Sequence, residues 1–364
     1  ALFGKYLNLI KQPPLFDEFV TIVGGGAGPG TPKWYYNFVA TFKGGTTQKI
    51  YGDPKTGLNY NTTWIGKQAT NYLDRALADP ATPFYLEFDP TAPHTHDANL
   101  AYTMVEPKYR TLAVPGCVKP PVEDDRTDKP RFVQANFAGD FGWKTICPTS
   151  QRALKSVDDW FAKVVTKLTT AGVLDNTVIV FTSDNGLMNG EHRLTKKFVA
   201  YEPSVRVPLM ISFPGTFAPG SPADLESQTA KVTNIDILPT ILDLVGLTPD
   251  PALPAIDGKS LVTTPTGHTK LLSEYWFDRW TSAKPAPYPT WASLYDGQYK
   301  FIVTYSDTPG TAPVTQELYD TIADPAELTN LIPLAYGTPS ATHDVAAWSQ
   351  ALETERDCVG TTCS

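Results

Sequence analysis

Asp184 and Asn185 close the apolar run Thr177-Val178-Ile179-Val180-Phe181, inside the hexapeptide Phe181-Thr182-Ser183-Asp184-Asn185-Gly186. A carboxylate and an amide are hard oxygen donors, the kind that Ca²⁺ and Mg²⁺ select. Lys197 stands thirteen positions beyond Asp184 and supplies a positive charge. Oxygen ligands for a divalent cation, with a cation for an anionic substrate, suit hydrolysis of sulfate or phosphate esters. Two ligands do not fill a six- to eight-coordinate shell, so other carboxylates must complete it. Each residue also has a plainer reading. Asp-Asn-Gly is a favoured turn at a strand end, and a lysine in the pair Lys196-Lys197 is an ordinary surface charge.

His94, in Ala92-Pro93-His94-Thr95-His96, sits in a loop that prolines stiffen. An imidazole there can protonate a leaving group near neutral pH, or simply face solvent. Cys147-Pro148-Thr149-Ser150-Gln151-Arg152 places nucleophilic residue types beside an arginine. It reads instead as a helix start, with Ser150 or Thr149 as the cap and Cys147 in a disulfide. No serine-hydrolase elbow, phosphate-binding glycine loop or dinucleotide fingerprint occurs. A nucleophile is therefore not identifiable in these 364 residues.

The elements that must hold these groups alternate between helix and strand. Ile65, Ala69, Tyr72, Leu73, Ala76 and Leu77 recur at helical spacing, with Thr62 and Thr63 as expected caps. A strand is predicted over Phe84–Phe88. Leu154, Val157, Phe161, Val164, Val165 and Leu168 predict one face of a helix that Gly172 ends. The run 177–181 lacks alternation, which predicts a central parallel strand buried on both faces. A further strand is predicted over Val207–Phe213, and a helix over Ile235–Val245 with Asp236 capping and Gly246 at the stop. The expected fold class is α/β, a mostly parallel sheet flanked by helices. Sites in such sheets form at the carboxyl ends of strands, where His94 and the Asp184-Asn185 pair both fall. Composition shifts near Thr263–Gly267. The expected division is a catalytic domain over 1–265 and a smaller α+β domain over 266–364, with strands around Leu271–Trp276 and Tyr299–Tyr305 and a last helix over Ala346–Glu355.

A net charge of −8 argues against a nucleic-acid binder, which needs a basic face. No apolar run approaches the roughly 20 residues that span a bilayer. Ala1-Leu2-Phe3-Gly4-Lys5 reads like protein interior, so a processed product or a piece of a larger protein is expected. The four cysteines form no close metal-binding pair and suit two disulfides, Cys358–Cys363 and Cys117–Cys147. Together with the sequon Asn61-Thr62-Thr63, they point to a glycoprotein from an oxidising compartment, secreted or lysosomal.

Several segments in order resemble the sulfatase family, within the alkaline-phosphatase-like superfamily, and most of all its N-acetylglucosamine-6-sulfatase and extracellular sulfatase branch. They are Gly4-Lys5-Tyr6-Leu7-Asn8, Ala92-Pro93-His94, Leu174-Asp175-Asn176-Thr177 running to Thr182–Gly186, and Gly190-Glu191-His192. Tyr201–Pro208, Asp236–Thr240 and Glu317-Leu318-Tyr319-Asp320 with Asp324–Leu328 continue the series. The resemblance implies an alkaline-phosphatase-like fold and an arylsulfatase or carbohydrate sulfatase. It implies Asp184 and Asn185 as ligands of Ca²⁺ (alternatively Mg²⁺), with Lys5, Lys197 and His94 catalytic. Asn8 and His192 would contact substrate, while Lys196 and His96 compete with Lys197 and His94. The family's formylglycine arises in Cys-x-Pro-x-Arg, upstream of the Gly4–Asn8 segment. Cys147 does not fit that pattern, so the nucleophile and further metal ligands are expected on an N-terminal chain of the same enzyme. The resemblance leaves two other readings open. One is a phosphomonoester or phosphonate hydrolase of the same superfamily. The other is a non-catalytic remnant.

Overall fold

The computed structural model describes residues 1–6, 13–24, 34–79, 81–95, 102–121, 123–135, 142–214, 230–276, 288–305 and 312–363. The chain forms two compact units, residues 1–119 with 140–177 and residues 120–139 with 178–364.

In the first unit β1 (Leu2–Lys5) lies inside a five-stranded sheet of order β4-β3-β2-β1-β5. Its companions are β2 (Phe19–Gly24), β3 (Asn37–Phe42), β4 (Thr47–Tyr51) and β5 (Glu87–Asp89). β1 runs parallel to both neighbours, with Leu2 opposite Phe19 and Glu87, while β3 and β4 extend the sheet antiparallel. Phe3, Val20, Ile22, Phe38, Ala40 and Ile50 share a core with Ile65 and Ala69 of α1 (Asn61–Leu77). The strand expected over Phe84–Phe88 is thus shorter and shifted to Glu87–Asp89.

The helix α1 begins at Asn61, so Thr62 and Thr63 are helical residues and not caps. Thr63 instead donates its hydroxyl to Glu106 across 2.9 Å. Asn61 is fully buried, which removes its amide from any glycosylating enzyme in the folded chain. The long helix that packs against α1 starts earlier than its expected cap, at Cys147, because a π-helical turn over Gly142–Ile146 leads into it. Thr149 there donates to the carbonyls of Thr145 and Ile146 rather than capping. The buried stripe of this helix is Ala153, Ser156, Val157, Trp160 and Leu168, whereas Leu154 and Phe161 are exposed. The approach of Trp160 to Gly66, where an added Cβ would meet the indole at 2.2 Å, sets that rotation. Gly172, at φ +71°, ends the helix as expected. Both disulfides, Cys117–Cys147 and Cys358–Cys363, form as anticipated.

The second unit holds a single turn, α2 (Arg131–Gln134), which precedes α3 (Cys147–Thr170, the first-unit helix just described) in chain order. Its β6 (Ile179–Thr182) differs from expectation. Among the described residues β6 pairs with one strand, β9 (Leu209–Ser212), and that pairing is antiparallel. Ile179, Val180 and Phe181 are half-buried, and Thr182 is exposed. Between these strands come the hairpin of β7 (Met188–Asn189) and β8 (Thr195–Lys196) and the turn α4 (Glu202–Val205). α5 (Ile237–Leu244) is led in by a 3₁₀ turn over Asn234–Asp236, where Asp236 and Thr233 form a capping box.

An antiparallel sheet β10-β11-β12-β13 follows, from Leu271–Tyr275, Trp291–Tyr295, Tyr299–Tyr305 and Pro313–Asp320. Period-two alternation gives it two buried faces. Ala292, Leu294, Phe301, Val303 and Leu318 pack on α6 (Val345–Arg356), whose N-cap Asp344 accepts from the Ala347 amide. Trp291, Ile302 and Tyr319 pack instead on Met188, Leu194, Val199 and Tyr201. No helix among the described residues is long and apolar enough to cross a membrane.

Candidate functional site

In the first unit, Lys5 ends β1 and the loop carrying His94 leaves β5. Because β1 and β5 are parallel, both carboxyl ends reach the same rim. The approach is tight at Gly4, opposite Asp89: φ is +133°, and an added Cβ would meet the Asp89 carbonyl oxygen at 2.0 Å. Lys5 is half-buried there. The His94 loop is fixed by two hydroxyls. Tyr35 donates to the His94 carbonyl at 2.6 Å, and Thr103 donates to the Pro93 carbonyl at 2.8 Å. The imidazole is exposed, with its face toward the Trp34 ring at 6.4 Å. Its Nδ1 lies 2.7 Å from the Thr95 carbonyl. A carbonyl only accepts, so Nδ1 carries a proton, and Nε2 is the other ring nitrogen. Asn8 and His96 lie outside the described residues.

In the second unit, Asp184 and Asn185 follow the carboxyl end of β6. Asp184 is exposed and Asn185 half-buried. The Asn185 amide nitrogen donates to the Gly186 carbonyl at 2.7 Å, which leaves Oδ1 as its oxygen donor. The Gly186 amide donates to the Ser204 carbonyl at 3.0 Å, and a Cβ on Gly186 would lie 2.1 Å from the Pro203 carbonyl. This turn is therefore locked to α4 through its backbone. The Asp184 carboxylate and the Asn185 Oδ1 are hard oxygen donors of the kind that Ca²⁺ takes, and two ligands alone do not fill its shell. Among the described residues no cluster of three or more His, Cys, Asp or Glu could hold a metal.

The hairpin between β7 and β8 leads to Lys197. Lys196 is exposed with φ +77°, whereas Lys197 is half-buried. Leu194 on one side and Val199 to Tyr201 on the other are buried. His192 is 2 % exposed and stacks on Tyr201 with ring centroids 4.1 Å apart. Its Nδ1 lies 2.7 Å from Glu123, which pairs at 2.9 Å with the fully buried Lys129. Its Nε2 has no hydrogen-bond partner among the described residues.

Behind this loop stands a buried charged network that sequence reasoning missed. The phenols of Tyr201 and Tyr319 both donate to Glu317, at 2.8 and 2.6 Å. Burial pushes the Glu317 carboxyl up to about 7, against the opposing effect of those two hydrogen bonds. Lys300 pairs with Glu327 at 3.0 Å and with Glu202. One signal was available: alternation along β13 places Glu317 and Tyr319 on the same inward face as Trp291 and Ile302.

A family model described as sulfatase matches residues 25–247, and one described as N-sulphoglucosamine sulphohydrolase, C-terminal, matches residues 190–356. An arylsulfatase of Volvox carteri is 29% identical over 343 residues, covering 81% of this chain and 50% of the relative. A choline-sulfatase of Rhizobium meliloti (strain 1021) is 34% identical over 199 residues, covering 52% of this chain and 35% of the relative. A solved structure described as a complex with its substrate D-glucosamine-2-N,6-O-disulfate superposes with a TM-score of 0.70 at 20% identity. That match covers 97% of this chain and 78% of the other, and it shows a shared fold. The chain spans about half the length of the curated arylsulfatases it matches.

Proposed function

The chain belongs to the sulfatase family, and we propose that it hydrolyses sulfuric esters, aryl sulfates or sulfated sugars, together with an N-terminal polypeptide that carries the formylglycine nucleophile. The observation that carries this reading is the Asp184-Asn185 turn at the carboxyl end of β6, locked to α4 and joined through one hairpin to Lys197. A nucleophile outside these residues is supported by the cysteines, all four of which are disulfide-bonded.

Asp184 and Asn185 would hold Ca²⁺, an oxygen-only donor set that suits this ion better than zinc. When bound, the ion supplies positive charge to the sulfate oxygens. Lys197 adds cationic charge to the sulfate, electrostatic stabilisation of the kind that dominates many enzymes, and Lys5 is assigned a catalytic role as well. His94, with its ring set by Thr95 and its loop by Tyr35, donates a proton from Nε2 to the alcohol oxygen as the S–O bond breaks. Asn8 is assigned to substrate contact, whereas His192, buried between Tyr201 and Glu123, supports the Lys197 segment from behind instead of facing a substrate. The residues over 1–265 would constitute the catalytic domain and 266–364 its α+β companion. The paired cysteines support a secreted or lysosomal setting.

The test is an intact-mass and activity measurement on native material. A co-purifying N-terminal chain, turnover of an aryl sulfate or of glucosamine 6-sulfate, and its loss with a calcium chelator are the expected results. Absence of sulfate-ester turnover by the complete assembly overturns the reading. Phosphonate turnover with two zinc ions per molecule moves the chain to the phosphoester branch of the superfamily.

A further inference from the structure

Lys197 is bracketed by backbone carbonyls that side chains of the second unit hold. Tyr288 donates its phenol to the Thr195 carbonyl at 2.8 Å, and Trp291 donates its indole N–H to the Phe198 carbonyl at 2.8 Å. Lys300 places its ammonium 3.3 Å from the Ala200 carbonyl. Trp291 and Lys300 belong to β11 and β12, and Tyr288 lies just before β11. All three are at least 95 % buried. They therefore act where a hydrogen bond competes with little water, and where loss of a donor leaves a buried carbonyl unpaired. The segment they hold has few regular ladder bonds of its own, because β8 ends at Lys196. Lys196 and Phe198 on either side of Lys197 have φ of +77° and +85°. A segment with that conformation persists when its surroundings over-determine it.

We propose that the C-terminal antiparallel sheet is the positioning platform for Lys197, and that Tyr288, Trp291 and Lys300 are positioning residues for it. The inference rests on the catalytic role given to Lys197 above. It adds residues 91 to 103 positions away that touch neither substrate nor metal. Tyr201 and Glu202 close the segment: Tyr201 is held by Glu317, and the Glu202 amide donates to Glu327 at 2.7 Å. The lysine's stem thus leaves a backbone fixed at 195, 198, 200 and 202, and a displacement of about 1 Å in such a group costs up to 100-fold in rate.

The experiment has two arms, on Tyr288→Phe and Trp291→Phe, each of which removes one donor and keeps an aromatic ring. In the first arm, amide hydrogen exchange is measured on this chain, with no substrate. The expected result is exchange about tenfold faster over residues 194–201, with little change in the sheet itself. Unchanged exchange there overturns the proposal whatever the enzyme's activity. In the second arm, kcat is measured per titrated active site in the complete assembly. The expected result is a fall of roughly 10- to 100-fold with KM nearly constant. In a Lys197→Ala background the same substitutions are expected to change kcat less than about twofold, because the group they position is gone. An equal fall in both backgrounds shows general damage and overturns the proposal. If the unmodified assembly turns over no sulfate ester, the functional reading fails, and the exchange arm alone decides whether the sheet holds this segment.

Discussion

The buried phenol of Tyr35 donates to the backbone carbonyl of His94 across 2.6 Å, which ties a loop histidine to the interior of the first unit. Burial pushes the Tyr35 phenol well above the usual tyrosine range, so it remains a donor at neutral pH. Tyr35→Phe removes only that donor. The expected stability cost is about 1 kcal/mol, with kcat lowered about tenfold. His94→Gln, which removes the proposed proton donor, is expected to lower kcat about 100- to 10,000-fold with little unfolding. Steady-state kinetics and thermal melting of both variants check this. Near-normal turnover in His94→Gln would remove the histidine from the mechanism.

Two adjacent lysines give an internal control. Lys196 is exposed and Lys197 half-buried, with a buried stretch immediately after it. Lys197→Ala is expected to lower kcat at least about 100-fold, as loss of one good transition-state contact does. Lys196→Ala should leave kcat within about a factor of two. Reversal of that order would transfer the role to Lys196.

Glu317 predicts a pH dependence of stability with a definite sign. Its carboxyl titrates at about 7 in the fold, raised by burial from the ordinary 4.5. The groups facing it are Tyr201, Tyr319, Lys129 and His192. A carboxyl raised in this way contributes fully below about pH 4.5, where folded and unfolded chains both hold the proton. Its contribution declines as pH rises toward about 7, because the unfolded chain ionises first. Glu317→Gln cannot ionise. The stability of the wild type relative to this variant should therefore fall across that window, by on the order of 3 kcal/mol, and level off above it. Urea melts at several pH values measure the difference. A flat difference would show that Glu317 is ionised in the fold throughout.

Much of this was legible in the sequence because local chemistry decided it. The stop at Gly172, the two disulfides and the strands 271–275 and 299–305 follow from glycine conformation, cysteine spacing and apolar runs. What was misread depended on partners far away in sequence. The stripe of α3 turned on Trp160 meeting Gly66, and the pairing of β6 turned on which strand lies beside it. The network of Glu123, Lys129, Lys300, Glu317 and Glu327 was invisible for the same reason. A buried charge looks like a surface charge until its partner, up to 199 positions away in the case of Lys129 and Leu328, is known.

Gly4 offers the sharpest check on the rim that Lys5 shares with the His94 loop. Two costs fall on Gly4→Ala. Its φ of +133° is one that side chains rarely adopt, and its new Cβ would lie 2.0 Å from the Asp89 carbonyl oxygen. Neither obstacle is a flexible side chain, so β1 and β5 must part. Each cost is roughly 1–3 kcal/mol, which gives roughly 2–6 kcal/mol together. Gly44→Ala provides the comparison, since Gly44 has φ +87° and nothing within 4 Å of an added Cβ. It should carry the conformational cost alone, about 1–2 kcal/mol. Denaturant midpoints of the two variants isolate the steric component. Equal losses would mean that β1 and β5 are not this close, and Lys5 would lose its place beside the histidine loop.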